Sequence, residues 1–351
     1  MFSDSIGATQ FLTPIVSTYQ PLPTGFDGGY GSAKLIVESA EVRIPSYVQP
    51  LHKEIYEIPE SDAGSLIEYV SGERSDLLGT RWFGGVPAYL NNPEGHLRVV
   101  DDRRGKTKFG LQLLLAALGS LPYRANWNLA LVASIQDAQA LGAELRESLR
   151  GNHSIRINGK QVSTVDIKVL SVVEEGSGAI AQSIMSGIVQ SNAQTILLDI
   201  GHGTIISSLF GQKGKLISRD VKRLGVDILT EAIAKNLETR RQLTGEGDRQ
   251  IIRSAIENGS FNYGTTGWNF RQIYNAELPH WVQSALSPAL KAVAPWRATS
   301  DAVIACGGGS QLPAIAQLLA KQGISVSSDG AWANCRGLVK IAQIKLQRRA
   351  G

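Results

Sequence analysis

Thr195–Phe210, TILLDIGHGTIISSLF, reads as two apolar, β-rich runs on either side of a glycine turn. Runs of this kind joined by a short turn form a hairpin. Asp199 stands at the end of the first run, and Gly201-His202-Gly203-Thr204 makes the turn. Glycines there let backbone N–H groups crowd around a bound anion, while a carboxylate at a strand end can hold a hydrated metal ion. That combination points to phosphate and Mg2+ chemistry. The same device stands earlier, in Gly25–Val37, GFDGGYGSAKLIV, where Asp27-Gly28-Gly29-Tyr30-Gly31 repeats the D-x-G-x-G spacing of Asp199-Ile200-Gly201-His202-Gly203. One copy is a common way to build a tight turn. Two copies in order imply a duplicated protein with one hairpin per half, whose turns close on one nucleotide's phosphates from opposite sides.

The paired motifs resemble the two phosphate motifs of the actin, Hsp70 and sugar-kinase superfamily of ATPases. Lys34 follows Asp27 by seven positions on the outgoing strand, where that superfamily places a phosphate-binding lysine. The resemblance implies an α/β, actin-like (ribonuclease H-like) fold: two duplicated domains with small insertions and a nucleotide cleft between them. It further implies that ATP or ADP is contacted by Gly29, Tyr30, Gly31, Ser32 and Lys34 from the first hairpin and by Gly201, His202, Gly203 and Thr204 from the second. Asp27 and Asp199 are expected to hold Mg2+ mainly through water, and Asp199 to be catalytic as well. Thr204 either bonds a phosphate or merely favours the strand. His202 either touches the γ-phosphate or tunes the water, or else stays a neutral loop histidine pointing outward, which is the preferred reading.

The 351 residues suit two domains better than one, and 43% hydrophobic content suffices for sizeable cores. No uninterrupted apolar run approaches about 18 residues, so no membrane span or membrane partner is expected. The first residues lack a basic leader followed by an apolar core, which argues against a secretory signal and for the cytoplasm. Cys306 and Cys335 are expected to be buried free thiols. A formal charge of +4 and a pI near 9.0 invite a nucleic-acid reading, yet only Arg103–Lys108 and Lys345–Arg349 concentrate basic residues. Runs this short usually form solvated faces. Direct sequence-specific DNA binding is therefore not expected, and any attachment to DNA is assigned to an adaptor protein.

Residues 1–23, punctuated by Pro14, Pro21 and Pro23, read as a flexible arm. Residues 24–174 are read as the first domain, with a β-rich insertion at about 46–99 and completion by a C-terminal helix over 335–351. Residues 175–334 are read as the second, with an insertion at about 223–297. Periodicity predicts a helix over Lys108–Leu121, a buried strand over Leu129–Ser134 and an amphipathic helix over Ala138–Leu149. Gly151–Ser171 reads as a hairpin turning at Asn158-Gly159.

Val172–Ala179, VVEEGSGA, runs from a strand end into a helix expected to reach Gln190. In segregation actins the crossing between domains resembles P-E-x-x-x-A, with its glutamate near the attacking water. Glu175 and Ala179 keep that spacing, with Glu174 in place of the proline. The resemblance implies that Glu175 is catalytic, with Glu174 the other candidate; without it, the two read as solvated acids at a helix N-terminus. Arg223–Asp227, RLGVD, opens an amphipathic helix with Leu229, Ile233 and Leu237 on one face. By resemblance Gly225 lies beside the nucleoside, with Asp227 in the same site; the alternative is an ordinary helix start capped by Asp227.

Asp301–Leu312, DAVIACGGGSQL, is a buried strand running into Gly307, Gly308, Gly309 and Ser310, with a helix expected from near Pro313. Bare backbone there lets a flat base or ribose press close, beside a helix N-terminus that favours phosphate. The G-x-G-x-x-G spacing of a dinucleotide fingerprint is absent; third after the two hairpins, the unit resembles the superfamily's adenosine motif. Ala333–Leu338, ANCRGL, resembles the A-N-A-x-G-like signature of segregation actins related to ParM, also called StbA, with Cys335 for the second alanine. The resemblance covers roughly residues 24–346. It implies an ATPase that polymerises with itself, ATP promoting filament growth and hydrolysis destabilising the polymer, to segregate plasmid DNA through a DNA-binding adaptor. A small-molecule kinase of the sugar-kinase kind is the runner-up, and a scaffold that assembles on nucleotide without hydrolysis is the third reading.

Overall fold

A computed structural model describes residues 20–102 and 104–350. Most of the expected N-terminal arm, and Arg103 of the first basic run, lie outside the described residues. The first glycine turn joins β1 (Leu22–Gly28) to β2 (Ser32–Val37), antiparallel and with Asp27 opposite Lys34. The chain continues through β3 (Ala40–Pro45), β4 (Tyr47–Leu51), β5 (Gly64–Gly72), β6 (Arg81–Gly85), α1 (Val86–Asn91), β7 (Leu97–Arg98), α2 (Gly105–Leu118), β8 (Asn126–Ile135), α3 (Ala138–Leu149), β9 (Gly151–Ile157) and β10 (Val162–Glu174). These strands form one ten-stranded sheet in the order β3-β2-β1-β8-β10-β9-β5-β6-β4-β7. The proline-rich stretch after residue 46 extends this sheet, because β5 pairs antiparallel with β9.

Helix α2 begins three residues before the predicted Lys108, since Gly105 packs its first turn directly against the Val99 carbonyl. Strand β8 pairs in parallel with both β1 and β10. It therefore reads as a continuous apolar run with both faces covered.

The second sheet follows α4 (Ser177–Met185) and comprises β11 (Thr195–Ile200), β12 (Ile205–Phe210) and β13 (Leu216–Lys222), then α5 (Val226–Lys235), α6 (Leu237–Leu243), α7 (Arg249–Glu257), α8 (Arg271–Trp281) and α9 (Ser287–Arg297), β14 (Ala302–Cys306), α10 (Ile315–Lys321) and β15 (Ser325–Val326). Its strand order is β13-β12-β11-β14-β15. The two sheets repeat one local plan. In each, the strand carrying the motif aspartate has its hairpin partner on one side and a parallel strand on the other, with Asp27 opposite Ser134 and Asp199 opposite Cys306. The final helix, α11 (Gly330–Ala350), packs on β1, β8 and α4. Both cysteines are buried and free, and no helix among the described residues is long and apolar enough to cross a membrane.

Several boundaries differ from the sequence reading. Helix α4 stops at Met185 instead of Gln190, because Gly187 adopts φ 73°, the left-handed conformation that ends helices. Leu229 and Ile233 are buried as predicted, but Leu237 is exposed: α5 ends at Lys235, and Asn236 caps a new helix by accepting from the Glu238 N–H. The ANCRGL signature lies wholly inside α11, which starts at Gly330, ahead of the expected residue 335.

Helices α4 and α11 cross at a pair of glycines. A Cβ on Gly337 would fall 1.7 Å from the Gly178 carbonyl oxygen, and one on Gly178 would fall 2.1 Å from the Asn334 oxygen. Gly337→Ala should therefore push the two helices apart and lower stability by about 1–3 kcal/mol, the usual range for overpacking. Thermal unfolding reads the effect, and an unchanged Tm would show that the crossing is not tight.

Candidate functional site

The two turns and the Gly307–Gly309 segment enclose a cavity of about 220 Å3 between the sheets. From the first hairpin Asp27, Gly29, Tyr30, Gly31, Ser32 and Lys34 line it; from the second, Asp199, Gly201, His202, Gly203 and Thr204 do. Glu175 and the three glycines Gly307, Gly308 and Gly309 complete this set. Gly225, Asp227 and Ser310 are not among the lining residues. Gly225 packs behind the second turn, where a Cβ would lie 2.1 Å from the His202 oxygen, and its smallness lets Val226 and Asp227 donate their N–H groups to Gly201 and His202. Ser310 is fully buried and donates its hydroxyl to the Gly307 carbonyl, holding the glycine turn.

Register explains the first charged pair. Because Asp27 and Lys34 face each other across the hairpin, Lys34 Nζ comes within 3.2 Å of Asp27 Oδ2. Burial works to raise the Asp27 carboxyl, but Lys34 and then Lys106 outweigh it and hold the group below its ordinary value. Asp199 has no such ion pair among the described residues. Burial, then the negative charges of Glu175 and Asp27, push it up to about 7. Asp199 is the aspartate without a cation beside it, and together with Asp27 its chemistry fits a hydrated Mg2+ facing the cavity.

The two glutamates of the crossing have different surroundings. Glu174 Oε1 accepts from the Ala138 N–H at 3.0 Å and Oε2 lies 2.8 Å from Arg219, away from the cavity lining. Glu175 lines the cavity with its carboxylate 2.9 Å, at both oxygens, from Lys106 Nζ. Asn334 of the signature, which also lines the cavity, accepts from the Gly178 N–H and donates to Ser134 Oγ at 2.9 Å, and Ser134 donates on to Asp27 at 3.5 Å. The helix crossing is thus wired to the first aspartate.

His202 does not point outward. It packs against Gly31, where a Cβ would fall 2.3 Å from its own, and its Nε2 lies 3.2 Å from Asp227 Oδ1. Burial, then the Arg253 charge, lower its pKa and keep the ring neutral despite Asp227. Nor does Asp227 cap α5, whose start has no side-chain cap. Its carboxylate joins His202 to Arg98 of the first sheet at 3.1 Å; burial opposes ionisation, but His202 and the arginines hold it well below the usual range.

Three charged lining residues, Arg43, Arg253 and Glu257, escaped the sequence reading. Arg253 Nη1 donates to the Gly31 carbonyl at 2.6 Å and its Nε to Glu257 Oε1 at 2.9 Å, while Arg43 Nη2 reaches the same oxygen at 2.8 Å. Against the cost of burial, Arg253 and Arg43 bring Glu257 down to about 2. One signal was available: Arg253 falls between Ile252 and Ala255 on the buried side of α7, an unusual place for a cation. Arg43 carried none, since its strand alternates like any half-buried one.

Residues 25–178 match the family model described as the actin-like proteins N-terminal domain. No curated protein matches the chain. Among solved structures it is similar to an archaeal actin homologue in complex with ADP, at 17% identity and a TM-score of 0.70 over 92% of this chain and 99% of that one. It is also similar to a 15-stranded ParM filament from Clostridium botulinum, at 13% identity and a TM-score of 0.68 over 92% and 99%. Bacillus thuringiensis ParM with AMPPNP gives 17% identity and a TM-score of 0.64 over 93% and 99%. The chain has an actin-like fold over almost its whole length, and its residues 25–178 are similar to the actin-like proteins N-terminal domain.

Proposed function

We propose that this chain is an ATP-dependent, filament-forming ATPase of the cytoplasm that drives plasmid or other DNA segregation by nucleotide-controlled polymerisation. The observation that carries the reading is the convergence of both D-x-G-x-G turns, with Asp27, Asp199 and Glu175, on one cavity. The glycine turns offer backbone N–H groups to phosphate oxygens, and an incoming phosphate competes with Asp27 for Lys34. Asp27 and Asp199 would hold Mg2+, mainly through water; when bound, it offsets negative charge on the transferred phosphoryl group. Glu175 accepts a proton from, or orients, the attacking water. The Gly307–Gly309 segment receives the nucleoside. The filament of a similarly folded ParM, and the ADP and AMPPNP bound by similarly folded proteins, support this reading. Light scattering with ATP, ADP and a non-hydrolysable analogue, followed by electron microscopy, tests it. Polymers that grow with ATP and the analogue but not with ADP are expected; no assembly with any nucleotide would sink the filament reading.

DNA attachment belongs to a separate adaptor that grips the filament. The chain's basic residues are a modest surplus, and phosphate contacts from them weaken steeply as salt rises. In gel shifts at about 150 mM salt, where the screening length is roughly 8 Å, the pure protein should retard plasmid DNA only weakly and without sequence preference. Sequence-specific retardation by this chain alone would replace the adaptor with a DNA surface at Arg103–Lys108 or Lys345–Arg349.

A further inference from the structure

We propose that Lys106 is the positioning residue of the hydrolytic step, its ammonium holding the Glu175 carboxylate against the first phosphate turn in the orientation that a water needs. The inference rests on the nucleotide reading above and adds to it a residue from outside both hairpins.

Lys106 is an unexpected residue where it stands. It lies in the first turn of α2 and is only 5% exposed. A helix N-terminus disfavours a cation, and burial disfavours it further. Both costs are offset at one point: Nζ sits 2.9 Å from each oxygen of Glu175. Stability alone would not require this pair, because apolar side chains of similar volume usually replace a buried ion pair at no loss. The ammonium also lies 4.5 Å from the centroid of the Tyr30 ring, a cation–π distance, and the Tyr30 hydroxyl accepts from Gln136 Nε2 at 3.0 Å. Tyr30 is the middle residue of the first glycine turn. Lys106 therefore ties three things together: the turn that receives phosphate, the helix under the first sheet, and the glutamate at the crossing. A carboxylate offers about four acceptor positions. Lys106 takes two, which fixes the plane of the group and leaves the others for a water in the cavity that Glu175 lines.

The test is a mutant cycle in single-turnover ATP hydrolysis, with ATP affinity measured in parallel by titration of a fluorescent ATP analogue. Lys106→Met should lower kcat by about 10–100-fold, the range for residues that orient a reacting group, while KM and ATP affinity stay near the wild-type values. Adding Lys106→Met to Glu175→Gln should slow hydrolysis no further than Glu175→Gln alone, because Lys106 acts through Glu175. Lys106→Ala with added methylammonium supplies a second line: partial recovery of rate is expected, and a purely structural lysine gives none. If the methionine variant does not fold, Lys106→Gln serves in the same cycle, keeping one donor toward Glu175. Wild-type kcat in the variants, losses that multiply in the double variant, or a loss confined to ATP affinity would each overturn the proposal while leaving the nucleotide reading intact. Wild-type protein that neither binds nor hydrolyses ATP would overturn both.

Discussion

Glu175→Gln should slow ATP hydrolysis by about 10²–10⁴-fold, the usual worth of a general base or water-positioning group, while leaving ATP-driven assembly intact. Filaments of the variant should then outlast those of the wild type, because the event that destabilises the polymer is delayed. Glutamine is the informative substitution. Alanine would leave the Lys106 ammonium buried without its partner, and breaking a buried pair that way costs about 3–5 kcal/mol. A slower enzyme could then reflect a loosened fold, whereas glutamine still offers a carbonyl oxygen to Lys106. Phosphate release and light scattering in the same samples separate the two effects. If Glu175→Gln filaments turned over at the wild-type rate, the water-activating role would pass to another lining residue. Glu174 is poorly placed to take it, held as it is between Ala138 and Arg219 outside the cavity lining.

The sequence disclosed the parts of the site that depend on local chain geometry. A D-x-G-x-G turn between two apolar runs fixes where the aspartate, the glycines and the outgoing lysine fall, so Asp27, Lys34 and Asp199 could be placed without knowing their neighbours. Glu175 was singled out, with Glu174 as the other candidate, by a resemblance that rests on its spacing to Ala179, again a local property. What stayed hidden depends on contacts distant in sequence. Arg253 meets Gly31 across 222 positions, and Lys106 meets Glu175 across 69. The direction of His202 was misjudged for the same reason: nothing beside it in the chain announces Asp227, the partner that draws it inward. The continuous ten-stranded sheet was likewise illegible, because the pairing of β5 with β9 joins segments whose own patterns say only that each is a strand.

Asp199→Asn should make the nucleotide-free protein more stable at pH 8 while reducing Mg2+-dependent hydrolysis by about 10²-fold or more, several kcal/mol of transition-state stabilisation being at stake. The two effects have one origin. Burial, and then the charges of Glu175 and Asp27, raise the folded-state pKa of Asp199 from 3.8 to about 7. A carboxyl whose folded pKa is raised favours the folded state fully only below its unfolded pKa, and that contribution is lost as pH rises through about 7. At pH 8 the wild type therefore holds a carboxylate that its surroundings disfavour by roughly 4 kcal/mol. Asparagine has the same shape and no charge to desolvate, so its advantage should be largest at pH 8 and should shrink steadily toward pH 5, where the wild-type group is protonated in the fold. Mg2+ and nucleotide should reverse the ranking, since a cation beside Asp199 stabilises its ionised form and gains little from an amide. Thermal unfolding at pH 5 and pH 8, each with and without Mg-ATP, reads all four conditions. An asparagine variant that melts below the wild type at pH 8 without ligand would show that Asp199 is already compensated in the empty cleft. One that hydrolyses ATP at the wild-type rate would remove Asp199 from the metal site.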